Sequence, residues 1–167
     1  MKKCLLIAAL AAFAFGATVD CDRRMVEKSG GFAICPPIRW EAKPVGGFKY
    51  NFLMQKPQEG FAANINFADE EYNGSLKEYV DLSLDVLKKM IEDVKIVDRA
   101  AFSAKNVKGE RIVAQSVQYS FDITQTVYVF DMEKSKKMIV TCTGLTSLAK
   151  TTQKICDDSL KTFEKLK

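Results

Sequence analysis

Apolar and polar residues alternate along the first half of the chain. Phe48, Tyr50, Phe52 and Met54 alternate with Lys49, Asn51 and Gln55, the period-two pattern of a half-buried strand. Phe61, Ala63, Ile65 and Phe67 repeat it opposite Asn64 and Asn66. The two runs are joined around Pro57–Gly60 and predict a β-hairpin. Upstream, Gly30-Gly31 marks a turn, and Phe32–Cys35 reads as a short strand stopped by Pro36-Pro37, since proline cannot donate to a strand ladder.

The period then changes. Leu76, Tyr79, Val80, Leu84, Leu87 and Ile91 recur at helical spacing behind Ser75 and Glu78. Those two residues have the spacing of a capping box, in which each side chain serves the other's backbone N–H. Asn73-Gly74-Ser75 also has the form of a glycosylation sequon, but its Gly and Ser read as turn and cap. Strands resume at Val94–Phe102, Arg111–Phe121, Thr126–Met132 and Met138–Thr143. Short links between them predict an antiparallel meander. Leu148, Thr152, Ile155, Cys156, Ser159, Phe163 and Leu166 put one apolar stripe on a closing helix. The expected architecture is a single α+β domain over residues 17–167, one antiparallel sheet with helices packed against it.

The 167 residues suffice for one core. At their N-terminus, Lys2 and Lys3 precede an apolar run from Leu5 to Phe15, and Ala14-Phe15-Gly16 supplies small residues for a peptidase. This reads as a secretory signal of bacterial type over residues 1–16, cleaved after Gly16. The run is shorter than the about 20 residues of a membrane-spanning helix, which disfavours a retained anchor. Asp20 before Cys21 disfavours a lipoprotein. The expected location is periplasmic or secreted. The net charge is +4, two units of it from Lys2 and Lys3. Such a charge, spread over scattered pairs, offers no nucleic-acid footprint and suits a monomer.

Cleavage removes Cys4 and leaves Cys21, Cys35, Cys142 and Cys156. Four cysteines in an exported chain suggest two disulfides with three possible connectivities. Bridges joining the two ends would close long loops and stabilise by roughly 4–5 kcal/mol in the chain-entropy model, so end-to-end pairing is the favoured expectation. A buried pair of free thiols is the alternative.

The chain contains no histidine. It therefore lacks the usual general base at neutral pH, and Ser-His-Asp and Cys-His centres are excluded. No glycine-rich phosphate loop and no nucleophile elbow is present. No cofactor is expected. Asp69-Glu70-Glu71 is the weak candidate for a calcium site, with a solvated acidic loop as the plainer reading. Trp40, the single tryptophan, and Tyr79 on the first helix are the candidates for lining a ligand cleft.

The order of these motifs resembles the PsbP-like superfamily. Gly31-Phe32-Ala33-Ile34-Cys35-Pro36 with Trp40 resembles its opening motif. Ala63–Phe67 followed by Ser75-Leu76-Lys77-Glu78-Tyr79 resembles its strand and capped helix. Lys137–Thr143 and Ile155–Phe163 resemble its last strand and closing helix. The superfamily includes extrinsic photosystem II subunits, bacterial DcrB-like envelope proteins and a nuclear Ran-binding group. The resemblance implies a sheet of six to seven antiparallel strands in an α-β-α sandwich without a common catalytic centre. The bacterial-type signal points to the envelope branch. The function expected from it is a non-enzymatic protein-interaction module with an envelope partner, the alternative being a binder of small apolar ligands or lipid. N-terminal sequencing of the exported protein should begin at Ala17; an N-terminus at Met1 would overturn the cleaved leader.

Overall fold

The computed structural model describes residues 18–133 and 135–167; the leader inferred for residues 1–16 lies outside them. Ten strands and two α-helices follow one another. The strands are β1 (Met25–Glu27), β2 (Phe32–Ile34), β3 (Glu41–Lys43), β4 (Phe52–Met54) and β5 (Asn64–Glu71), then β6 (Lys95–Ser103), β7 (Lys108–Gln118), β8 (Phe121–Glu133), β9 (Lys136–Leu145) and β10 (Glu164–Lys165). Helix α1 (Leu76–Met90) lies between β5 and β6, and α2 (Ala149–Lys161) follows β9.

The expected meander is present: β6, β7, β8 and β9 pair in succession, all antiparallel. Strand β5 pairs with the free side of β9, and β4 and β3 continue outward, giving the order β3-β4-β5-β9-β8-β7-β6. The seven strands make the large sheet expected. It is not the only one. β1, β2 and β10 form a second, three-stranded sheet, because Phe32–Ile34 pairs with β1 and β10 and never joins the main ladder.

The pleat sends successive side chains of β8 to opposite faces. Tyr128, Phe130 and Met132 join the larger cluster with Leu160 and Cys156 of α2. Val127 and Val129 join Tyr79 and Val80 of α1. Thus α1 covers one face, while α2 and the small sheet cover the other. Helix α1 leaves β5 near the middle of the sheet and delivers the chain to β6 at its edge, so it crosses the faces of β9, β8 and β7.

Helix α1 starts where the capping box places it. The Ser75 hydroxyl accepts from Glu78 N at 3.2 Å, and Ser75 N donates to the Glu78 carboxylate at 2.8 Å. The closing helix is shorter than its apolar stripe suggests. Thr162 ends it: its hydroxyl donates to Ser159 O and accepts from Cys35 N. The chain then turns inward at Phe163 and pairs with β2. One turn also differs. The expected strand ending at Phe121 stops at Gln118, and Tyr119 and Ser120 make the hairpin, both at positive φ.

The disulfides are local. Cys21 pairs with Cys35 and Cys142 with Cys156, each across 14 residues. This corrects the end-to-end expectation. Cys35 follows β2 and faces the turn holding Cys21, while Cys142 on β9 points at α2. The two cysteines nearest each end are neighbours in space because local chain reversals bring them together. Gly144, also on β9, lets α2 approach: a Cβ there would stand 2.7 Å from Thr152 Cγ2.

Two outcomes are expected. Peptide mapping without reduction should recover the Cys21–Cys35 and Cys142–Cys156 pairs; a peptide linking either early cysteine to either late one would refute this pairing. Gly144→Val should lower unfolding free energy by about 1–3 kcal/mol through overpacking, read from the urea midpoint.

Candidate functional site

The residues singled out in the sequence are dispersed. Trp40 is buried in the cluster beneath α2, and Tyr79 is buried beneath α1. The whole thickness of the large sheet separates them, so they do not line a common cleft. Trp40 lies beyond the Pro36-Pro37 break, where its indole closes one end of the core. The sequence could not separate these roles, because an isolated tryptophan carries no periodicity to assign its face.

The acidic run is divided in the same way. Asp69 and Glu70 are successive on β5 and point to opposite faces. Asp69 pairs with Lys49 at 2.9 Å and with Lys136 at 3.2 Å. Burial works against its charge, but hydrogen bonds from Lys49 and Lys136 outweigh that and hold its carboxyl below the ordinary value. Glu70 accepts from the Tyr79 hydroxyl at 2.7 Å on the α1 side. Glu71 is exposed at the strand end. The calcium reading fails on this geometry: strand alternation parts the carboxylates, and Asp69 already has two cationic partners. Among the described residues, no group of three or more Asp, Glu or Cys side chains could hold a metal ion.

Two polar clusters lie on opposite faces of the sheet. On the α1 side, Lys137 is 1% exposed. Its ammonium donates to Asp131 at 2.9 Å and to the Tyr72 carbonyl at 3.4 Å. Register places Lys137 between Glu70 of β5 and Asp131 of β8, so two carboxylates flank the buried cation. On the α2 side, the Arg111 guanidinium bridges Asp98 at 2.7 Å and Asp157 at 3.1 Å. Asp157 also accepts from the buried Tyr128 hydroxyl at 2.6 Å. These groups are committed to one another across elements. That is the arrangement of structural anchors, since breaking a buried pair leaves a charge without compensation.

The least satisfied surface is on α1. Leu82, Val86 and Met90 follow one another at four-residue spacing and are exposed, Met90 at 78%. Residues four apart share a helix face, so they make one continuous apolar row. The signal was legible: Leu76, Tyr79, Val80 and Leu84 pack against the sheet, and these three apolar residues are left over. Among the described residues, no helix is long and apolar enough to cross a membrane.

The arrangement of seven antiparallel strands, a crossover helix on one face and a closing helix on the other is a fold shared with solved structures that include PsbP. LpqN of Mycobacterium tuberculosis, described as involved in cell envelope biogenesis, superposes with a TM-score of 0.62 at 10% identity, covering 79% of this chain and 81% of its own. PsbP (CyanoP) of the cyanobacterium Synechocystis sp. PCC 6803 gives 0.58 at 10% identity, covering 89% and 92%. The Ran-binding protein Mog1p of Saccharomyces cerevisiae gives 0.60 at 8% identity, covering 86% and 95%. No family model and no curated protein matches the chain in sequence.

The anchors make stability depend on pH. Burial raises the Tyr128 phenol well above its ordinary value of 10.0, helped by Asp157, and burial with Glu70 does the same for Tyr79. A group held up in the folded state contributes stability that is complete below 10.0 and lost as the pH rises past it. The urea midpoint should therefore fall above about pH 10. Tyr128→Phe should cost about 2 kcal/mol near neutrality and flatten the alkaline fall. A midpoint that fell equally in both proteins would contradict this assignment.

Proposed function

We propose that this protein is an exported envelope protein that acts as a protein-interaction module and performs no catalysis. The observation that carries the reading is the apolar row Leu82, Val86 and Met90 on α1. A contiguous apolar surface of this kind costs free energy in water unless a partner covers it. The fold already uses the adjoining stripe of the same helix, and the row itself stays exposed.

Other features support the same reading. Two disulfides belong with an oxidising compartment, as does the secretory leader read in residues 1–16. The absence of histidine removes the most common acid–base group, and the buried charges are spent on holding α1 and α2 to the sheet. LpqN, of similar fold, is described as acting in cell envelope biogenesis, and Mog1p as binding Ran. Both descriptions fit a scaffold that works through its surface. The alternative of an apolar-ligand cleft between Trp40 and Tyr79 has no geometric support, because the sheet lies between them.

The test uses a photo-crosslinking residue at position 86 in cells making the full-length protein. One discrete envelope protein should be captured, and Leu82→Asp in the same chain should abolish that adduct without changing the urea midpoint. Capture that persists in the Leu82→Asp variant, or no adduct, would refute the module reading.

A further inference from the structure

The apolar row on α1 has a definite direction. Tyr79 donates to Glu70 of β5, and Asp81 pairs with Arg99 of β6. The helix therefore has a β5 side and a β6 side. Val86 comes two turns after Tyr79 and shares its face, so the row looks toward β5. Ile65 and Phe67 of β5 point to the α2 side, which leaves Asn64, Asn66 and Ala68 on the α1 side. None of these three belongs to the cluster beneath α1. Among the described residues, no second helix lies on this face of the sheet. The row is thus the bare side of a helix that has no neighbour in its own layer.

The charges beside the row are arranged about its centre. Leu82 and Met90 stand four residues to either side of Val86. Ser83 and Leu87 each follow a row residue and are half-buried toward the sheet. Asp85 and Lys89 each precede one, so they line the other side of the row, and both are exposed. Four residues apart, they have the spacing of a pair within one helix. Lys77 and Asp81 have that spacing and do pair, at 2.7 Å. Asp85 and Lys89 have no ion-pair partner among the described residues, although each presents its charge at the edge of an apolar surface.

Opposite charges placed in this way are self-complementary. When two copies of a helix pack antiparallel, the same side of each faces the other and the residue order is reversed. Asp85 of one copy then meets Lys89 of the second, and Lys89 meets Asp85. Leu82 meets Met90, and Val86 meets its own counterpart. A two-fold axis makes each of these contacts twice. A parallel pair would instead set the charged side against Ser83 and Leu87 and leave the charges unmatched.

We propose that α1 is a dimerisation helix, packing antiparallel on α1 of a second copy through Leu82, Val86 and Met90, with Asp85 and Lys89 paired across the two-fold axis. This rests on the reading of the row as an interaction surface and names the partner as the chain itself, in place of the monomer expected from its charge. A net charge of +4 opposes such association only weakly. Three side chains cover less than the roughly 800 Å² per partner of a standard interface, so the dimer is weak and reversible.

Sedimentation equilibrium of the purified, disulfide-bonded protein should show a monomer–dimer equilibrium with a Kd on the order of 0.1 mM. Leu82→Asp should abolish it without changing the urea midpoint. Asp85→Lys and Lys89→Asp should each weaken it about ten-fold, because each sets like charges together twice. Mixed with one another, those two variants should associate again, since the basic helix side of one then faces the acidic side of the other. A protein that stays monomeric to about 1 mM, a dimer that Leu82→Asp leaves intact, or a mixture that associates no better than either variant alone would overturn the proposal. The crosslinker at position 86 separates this proposal from the broader reading. An adduct of twice the chain's mass supports self-pairing. An adduct with a different protein overturns self-pairing and leaves the interaction surface standing, and the absence of any adduct removes both.

Discussion

Four phenylalanines hold the molecule together. Phe67 of β5, Phe32 of β2, Phe163 after α2 and Phe130 of β8 stack at centroid distances of 5.0, 5.4 and 4.6 Å. Each ring is essentially inaccessible to water. The stack joins the large sheet to the small one and fixes where α2 must end. A buried aromatic side chain removes roughly 150–250 Å² from water. The remaining architecture adjusts to it: the small sheet exists because Phe32 and Phe163 are held side by side, which places β10 against β2.

The polar anchors then decide orientation. Hydrophobic burial has no direction, so it would permit α1 and α2 to rotate or slide on the sheet. Tyr79 with Glu70, and Arg111 with Asp98 and Asp157, supply fixed directions. The Cys142–Cys156 bridge and the close approach over Gly144 set the height of α2 above β9. Several buried charged and phenolic residues are therefore used as fasteners.

Elements with a strong local signal were legible in the sequence. The capping box at Ser75 and Glu78, the four-strand meander and the β4–β5 hairpin all depend on residues close in sequence. The strands β1, β3 and β10 were not legible, since two or three residues cannot display a period. The turn at Tyr119-Ser120 was hidden because neither residue is a usual turn former. The cysteine pairing and the separation of Trp40 from Tyr79 depend on which face each element presents, a long-range property that spacing does not encode. Of the surfaces used here, the row on α1 was present in the sequence as three apolar residues too many for one stripe.

The pairing of β2 with β10 has a consequence in time. A chain emerges N-terminus first, whether from a ribosome or across a membrane, and Phe32 emerges early. Its stacking partner Phe163 and its sheet partner β10 emerge only after every strand of the large sheet. Until they do, β2 has a free edge on one side and an uncovered aromatic ring. The fold is therefore closed by Phe163 and β10, and a chain stopped before them leaves the core open rather than merely shorter.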